Sequence, residues 1–408
     1  MKRSDCLLGL DIGTTKVCAV MARVKGNDEL EVVGVGIHPS EGLSGGAVVD
    51  MEVTSRSVKS AVAKAQNLAG AEAPSAWVGM AGSYIASYNM TGSVAVMSSG
   101  RGVTREDVRR AHSIAVDRSL PRDYEIIHML PRRYRVDDNA DIMDPLGMVG
   151  SVLEVDLHMV AGRKTALRNI ERSVNRTGLA VNDLVLEPLA SWQAVLSEAE
   201  RWAGVAVIDI GGGTTDVVVY RENKVLHSEV ILIGGDLITK DVAHCFGTPF
   251  ENAEDLKVKH GCAREASVDP NEPVPVVRFR NRAPVMIKRR HLAWVIEARV
   301  NQILEQVQKS LRRENVLGAL PAGVVITGGT ALLEGLREKC AEYLGCDVQI
   351  GFPGGITGYK EVVSSPVYAT AIGLLHYGLG QERSAPARSQ WGPMRGVQKM
   401  WQWARDVF

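Results

Sequence analysis

Two short stretches of the chain share one pattern of apolar and polar positions. Leu8 to Val20 reads L-G-L-D-I-G-T-T-K-V-C-A-V, and Val205 to Val219 reads V-A-V-I-D-I-G-G-G-T-T-D-V-V-V. Each is an apolar run closing on Asp-Ile-Gly, then a Gly/Thr turn, then a second apolar run, which predicts a β-hairpin. One such hairpin is ordinary; two in corresponding places predict duplicated halves that face each other. Leu30 to Pro39 reads as a further strand, Val53 to Leu68 as a helix capped by Thr54, and Trp77 to Ala81 as a strand. The pattern changes between 83 and 162. Thr104-Arg-Glu-Asp107 has the form of a capping box opening a helix to about Asp117, with strands around Glu125 to Val136 and Ser151 to Ala161. This segment reads as a compact subdomain inserted into the first half, which resumes with helices at Lys164 to Thr177 and Pro188 to Arg201.

In the second half, helices are expected at Asp236 to Phe246, Glu251 to His260 and Lys288 to Arg313. The last carries Leu292, Val295, Ile296, Ile303, Val307 and Leu311 close to helical spacing. Gly323 to Gly329 has the pattern of a buried strand running into a helix from Thr330, and Ser365 to Tyr377 that of a mostly apolar helix. The expected division is 1–82 with 163–203 as the first half, 83–162 as the insert and 204–379 as the second half. A linker at 380–392 and a terminal helix at 393–408 complete it.

Composition narrows the possibilities. At 408 residues the chain exceeds one ordinary core and fits two domains. Lys plus Arg and Asp plus Glu both number 47, so no global field recruits nucleic acid or anionic lipid, and any charge recognition must be local. The six cysteines form no C-x-x-C pair, and most of them read as small core residues of a reducing compartment. The apolar run after Met1-Lys2-Arg3 covers only Cys6 to Leu10 before Asp11, too short for an export signal. No stretch approaches the roughly 20 apolar residues of a membrane-spanning helix.

The two turns carry the chemistry. Phosphates need backbone N–H donors presented by a tight turn, and glycine lets the backbone come close. Gly13, Thr14 and Thr15 supply such a turn on one side, and Gly211, Gly212, Gly213, Thr214 and Thr215 on the other. Lys16 follows the first turn and is placed to reach a phosphate as a cation. Asp11 and Asp209, at strand ends, are placed to hold Mg²⁺ through water, since magnesium needs only one or two carboxylates. Val324-Val-Ile-Thr-Gly-Gly-Thr330 adds a strand, a Gly328-Gly329 turn and a helix N-terminus against which a base or ribose would lie.

These motifs resemble those of the actin, heat-shock chaperone and sugar-kinase superfamily, an α/β two-domain ATPase fold. Asp11-Ile-Gly-Thr-Thr-Lys16 is similar to its first phosphate motif and Asp209-Ile-Gly-Gly-Gly-Thr-Thr-Asp216 to its second. Ile326-Thr-Gly-Gly-Thr-Ala331 resembles its adenosine motif, and Glu187-Pro-Leu-Ala190 and Pro366-Val-Tyr-Ala369 its hinge segments. The resemblance implies bound ATP and Mg²⁺, with Glu254 and Lys257 approaching the adenosine; otherwise those two are an ordinary surface pair at i, i+3. It makes Glu187 the candidate to position a water for slow hydrolysis, with a structural role at the hinge as the alternative.

The last sixteen residues, Pro393 to Phe408, place Met394, Val397, Met400, Trp401, Ala404, Val407 and Phe408 within an arc of roughly 140° on a helix. Basic and polar residues fill the remainder, which suits a helix lying among lipid headgroups. Burial of such a face is worth on the order of 8–12 kcal/mol, and ordering the helix takes back much of that. One copy would therefore bind reversibly, and stable attachment needs several.

An actin-like fold, an inserted subdomain and a terminal amphipathic helix together resemble the FtsA family of bacterial cell-division proteins. That resemblance implies self-association through the insert and recruitment of later division proteins. It also implies tethering of the tubulin-like FtsZ to the inner-membrane lipid at the septum, on its cytoplasmic face. It further implies an FtsZ C-terminal peptide bound near 237–316. There Arg278, Arg280, Arg282, Lys288, Arg289 and Arg290 form a basic cluster, and Arg289 and Arg290 are its candidates for a carboxylate-bearing peptide. The type IV pilus adaptors of the PilM type, small-molecule kinases of the superfamily and rod-shape filament proteins of the MreB type are the alternatives.

Overall fold

The computed structural model describes residues 6–384, apart from 27–28, 98–99, 101, 118–119, 280–282, 314–315, 317 and 319. Arg280, Arg282 and the expected terminal helix, with Val397, Met400, Trp401, Ala404, Val407 and Phe408, lie outside the described residues.

Both expected hairpins form. In the first, β1 (Cys6–Ile12) pairs antiparallel with β2 (Lys16–Val24), Asp11 opposite Cys18, and β2 pairs with β3 (Leu30–Pro39). A small ladder, β4 (Leu43–Ser44) with β5 (Ala47–Val48), leads into α1 (Met51–Ala69). Here the cap differs from expectation. The Asp50 carboxylate accepts from the N–H groups of Glu52 and Val53 at 3.0 Å each, so the helix opens before Thr54. The Thr54 hydroxyl is buried inside the first turn and donates back to the Asp50 carbonyl at 2.7 Å. After β6 (Ser75–Met80), parallel to β1, comes the insert.

The insert is a sheet of order β7-β10-β8-β9, built from β7 (Ile85–Ala95), β8 (Tyr124–Val136), β9 (Asn139–Ile142) and β10 (Val152–Arg163). The helix α2 (Arg105–Asp117) packs against it. The capping box is present: Asp107 N–H donates to the Thr104 hydroxyl at 3.3 Å and Thr104 N–H to the Asp107 carboxylate at 2.9 Å. Its own core gathers Tyr134, Val136, Leu153, Val155 and Leu157.

The chain returns through α3 (Lys164–Asn175) to β11 (Ala180–Leu186), parallel to β6, and α4 (Glu187–Val195). The single helix expected over Pro188 to Arg201 is broken. Ser197 and Glu200 form a second capping box that restarts the chain as α5 (Glu198–Ala203).

The second half repeats the plan with β12 (Val205–Ile210), β13 (Thr215–Arg221) and β14 (Lys224–Ile231), Asp209 now opposite Asp216. Helices α6 (Gly235–Phe246) and α7 (Phe250–His260) precede a hairpin of β15 (Pro273–Val276) and β16 (Val285–Lys288). The long α8 (Arg289–Arg313) buries its apolar stripe, Leu292 to Leu311, in the largest core. β17 (Val324–Thr327) is parallel to β12, as β6 is to β1. The helix expected from Thr330 is only one 3-10 turn, Gly329–Leu332, and α9 (Leu336–Leu344) starts after Gly335, before β18 (Val348–Ile350).

The expected extent of the second half, 204–379, does not hold to its end. β19 (Ile356–Gly358) pairs with β3 of the first sheet. After α10 (Lys360–Val363) and a 3-10 turn at Pro366–Tyr368, α11 (Ala369–Ser384) packs on β1, β6 and α4. Helix α11 also runs past the expected linker start at 380. Ile372, Leu375 and Leu379 share a core with Leu7, Cys18 and Val20, which is why β1 and β2 are buried on both faces. Gly9 is what admits the helix, because a Cβ there would lie 2.3 Å from the Ala371 carbonyl.

Candidate nucleotide site

The two Gly/Thr turns meet. A Cβ on Gly212 would fall 1.7 Å from the Thr15 hydroxyl oxygen, and one on Gly213 would fall 2.4 Å from that of Thr14, so glycine is what lets them approach. The second turn is fixed from below by α6: Gly235 N–H donates to the Gly211 carbonyl at 2.9 Å and Asp236 N–H to that of Gly212 at 2.8 Å. Thr330 donates to the Gly211 carbonyl at 3.2 Å, tying in the third motif. Across the gap, the Thr15 hydroxyl donates to Asp236 at 3.2 Å. The Thr215 hydroxyl, expected to face phosphate, is buried and donates to the Ile233 carbonyl at 2.7 Å.

Strand ends carry four buried carboxyls, on Asp11, Glu187, Asp209 and Asp216. Asp209 is held by the hinge helices: Ser191 of α4 and Thr370 of α11 both donate to its Oδ2, at 2.5 and 3.1 Å. Asp11 Oδ1 and Asp216 Oδ1 are buried without a hydrogen-bond partner among the described residues. Burial pushes the Asp11 carboxyl up to about 6; Lys16 draws it down and Asp209 adds to the rise. Burial likewise raises Glu187 well above the usual carboxylate range, with Asp11, Asp216 and Asp209 adding their repulsion and Lys16 opposing it. Asp216 is raised well above its ordinary value by burial and then by Asp209. Asp209 is raised by burial too, against the pull of its two hydroxyl donors.

Orphaned acceptor oxygens on crowded, proton-retaining carboxyls are what a dication would satisfy. Among the described residues, no group of three or more His, Cys, Asp or Glu is arranged to cage a metal. The fit is therefore to an ion that arrives with phosphate and takes one or two carboxylates, as magnesium does. Asp11 has the open oxygen for it. The Asp209 oxygen that accepts from Ser191 and Thr370 is already engaged, and Asp216 offers a second open oxygen.

Lys16 donates to the Val367 carbonyl at 2.8 Å, and its ammonium stands 5.5 Å from the Tyr368 ring centre. The first turn is thereby linked to the second hinge segment. Gly328, with φ +85°, brings backbone against Asp209; a Cβ there would lie 2.3 Å from Asp209 Oδ1. Gly329 faces open space. Glu254 and Lys257 are more than a surface pair. The buried Lys257 ammonium bonds Glu254 at 2.7 Å, the Thr239 hydroxyl at 2.9 Å and the Gly235 carbonyl at 3.2 Å, beside the third motif.

The two candidate arginines of the basic cluster, Arg289 and Arg290, are both paired. Arg289 donates to the His260 carbonyl at 2.9 Å and pairs with Glu272 at 3.1 Å and Glu334 at 2.5 Å, joining three segments. Arg290 is exposed and pairs with Glu265 at 2.7 Å.

Sequence reasoning placed the turns, Asp11, Asp209 and Glu187. It missed the roles of Asp216, Ser191 and Thr370. Asp216 closes the second turn motif as its last acid, and Ser191 and Thr370 each directly follow a hinge motif.

Among solved structures, the PilM–PilN type IV pilus biogenesis complex matches with a TM-score of 0.69 at 18% identity, over 91% of this chain and 98% of that one. MreB5 of Spiroplasma citri bound to ADP matches with a TM-score of 0.52 at 15% identity, over 92% and 96%. The molecule is an actin-like protein with an inserted subdomain. A family model described as Cell division protein FtsA matches residues 206–373, and another, SHS2 domain inserted in FTSA, matches 82–161. The Cell division protein FtsA of Pseudomonas aeruginosa is 40% identical over 383 residues, 94% of this chain and 91% of that protein. That of Escherichia coli K12 is 37% identical over 379 residues, 91% and 90%. The chain belongs to the FtsA family of cell-division proteins.

Proposed function

We propose that this protein binds ATP with Mg²⁺ between its two Gly/Thr turns, self-associates through the insert, and tethers FtsZ to the cytoplasmic face of the inner membrane. Residues 393–408 are the membrane anchor in this reading, and later division proteins gather on the assembly at the septum. One observation carries the nucleotide part: two glycine turns face each other above Asp11, whose buried oxygen has no partner among the described residues. Membership of the FtsA family supports the division role. Neither a pilus adaptor nor a sugar kinase is favoured. The PilM likeness is one of fold, at 18% identity, whereas the FtsA relatives are matched at 37–40% identity over most of the chain.

The turns would bind phosphate through backbone N–H groups, and Gly328 and Gly329 would take the ribose and base. Asp11 would hold the ion that travels with the phosphates, and Asp209, fastened to both hinge helices, would sense closure of the halves. Magnesium supplies the positive charge that draws the crowded carboxyls to their ionised forms. Glu187, so ionised, would orient a water toward the terminal phosphate. Lys16 can leave the Val367 carbonyl for phosphate, which would release the hinge segment and change the outer surfaces.

The test is vesicle co-sedimentation of FtsZ with MgATP, comparing the full chain with one ending at Gln390. The full chain is expected to carry FtsZ down and the shorter one is not. Equal recovery with both would remove the anchor. Arg290→Glu is expected to weaken FtsZ capture without unfolding the protein, since its ion pair is exposed.

A further inference from the structure

The insert is joined by the chain to the first half, yet part of it is buried against the second. Ser228 of β14, the edge strand of the second half's sheet, meets His158 of β10, and each is 1% exposed. Burial, then His227, Arg132 and His128, pull the His158 imidazole down to about 3, so it is neutral. Its Nδ1 donates to the Asn89 side-chain oxygen at 2.7 Å, and its Nε2 accepts from the Ser228 hydroxyl at 2.7 Å. The Ser228 oxygen accepts in turn from Ser87 of β7 at 3.2 Å. Beside this polar seat, Val160 of the insert shares a core with Val218, Tyr220 and Val225 of the second half. The insert grips the first half as well: His128 of β8 accepts from Leu186 N–H, one residue before Glu187, at 3.0 Å. His128 lies opposite Val160, so the two grips sit on adjacent strands of one sheet. Ser228 lies opposite Val218, two residues beyond Asp216 on β13. The insert therefore ties the strand leading into Glu187 to the hairpin that carries Asp216. Such bonds are short and directional, so the halves change angle only if one of them yields. In the setting they hold, the two turns touch, the Thr15 hydroxyl reaching Asp236 at 3.2 Å.

We propose that the His158–Ser228 seat gates the cleft: nucleotide enters or leaves only when the two side chains part and the second half swings away from the insert. This rests on the nucleotide reading and extends it to regulation. The insert is then a second tie between the halves beside the covalent hinge. A partner that shifts the insert changes nucleotide exchange, and nucleotide by reciprocity bears on the insert.

The experiment cross-links the seat in the full-length protein with Ser87→Cys and Ser228→Cys together, the two hydroxyl oxygens standing close enough for a disulfide in their place. Exchange of fluorescent N-methylanthraniloyl ATP with magnesium is timed in oxidised and reduced samples, so each preparation is its own folding control. Oxidation is expected to slow exchange at least about tenfold, and dithiothreitol to restore it. The Ser87→Cys single variant is expected to show no such difference. Ser228→Ala, which strips His158 of its donor, is expected to speed exchange about 3- to 10-fold. A disulfide that forms without slowing exchange would overturn the proposal and leave the seat as static packing. So would a pair that does not oxidise, since the two strands would not then face each other. Wild type that binds no magnesium–nucleotide would overturn the nucleotide reading itself.

Discussion

The two hairpin turns are built from nearly the same residues, yet they do different work. In the first, Asp11, one residue before its strand ends, has a buried oxygen with no hydrogen-bond partner among the described residues, and Lys16 is drawn toward the hinge. In the second, the equivalent Asp209 is held by Ser191 and Thr370 from two hinge helices, and its cross-strand neighbour Asp216 takes the open position. A duplicated backbone therefore gave one half an acid free for a ligand and the other an acid fastened to the hinge. Sequence symmetry alone equated them. The partners delivered by α4 and α11 separate them.

The largest expected effect breaks the hinge side. Gly373 lies where α11 crosses α4, and a Cβ there would sit 1.9 Å from the Ala190 carbonyl. Gly373→Val should cost about 3 kcal/mol or more and displace Thr370 from Asp209, read as a fall in denaturation midpoint. An unchanged midpoint would mean that the helices do not clamp Asp209.

On the ligand side, Asp11 favours the fold while protonated, because its folded pKa lies above the unfolded one. That contribution is complete below the ordinary value of 3.8 and is lost as pH rises through about 6, a difference of about 3 kcal/mol. Asp11→Asn should therefore melt like wild type near pH 4 and several degrees higher at pH 7.5, in the absence of nucleotide. The same variant should lose MgATP affinity by about 100-fold. A melting difference that does not grow with pH would contradict the burial of an unsatisfied acid. Ser191→Ala should cost about 1–2 kcal/mol, since a buried carboxylate loses one of its two donors. Smallest of all, Arg290→Glu should change stability by less than about 0.5 kcal/mol. Arg289→Glu should be markedly worse, because it strips Glu272, Glu334 and the His260 carbonyl together.

Legibility in the sequence followed the range of the interaction. Both hairpins, the insert and α8 are written in local period and turn chemistry, and they form. The return of β19 to the first sheet is three residues, Ile-Thr-Gly, with no period to read. Likewise, α11 looks apolar on every side because it is buried between β1 and α4, and no pattern names its neighbours. The site was visible where motifs carry it and hidden where it depends on contacts distant in sequence. Ser191 reaches Asp209 from 18 residues away and Thr370 from 161. Arg289 looked free because Glu272 and Glu334 approach it only in the fold.

The most direct measurement is calorimetric titration of ATP into the full-length protein at pH 6, with magnesium and with EDTA, in two buffers of different ionisation enthalpy. Binding that requires magnesium and releases protons into the buffer is the predicted result, because the ion takes the place of protons on Asp11 and its neighbours. Binding equally tight in EDTA, with no proton released, would contradict the assignment of Asp11 as the open ligand and of the facing turns as a magnesium–nucleotide site.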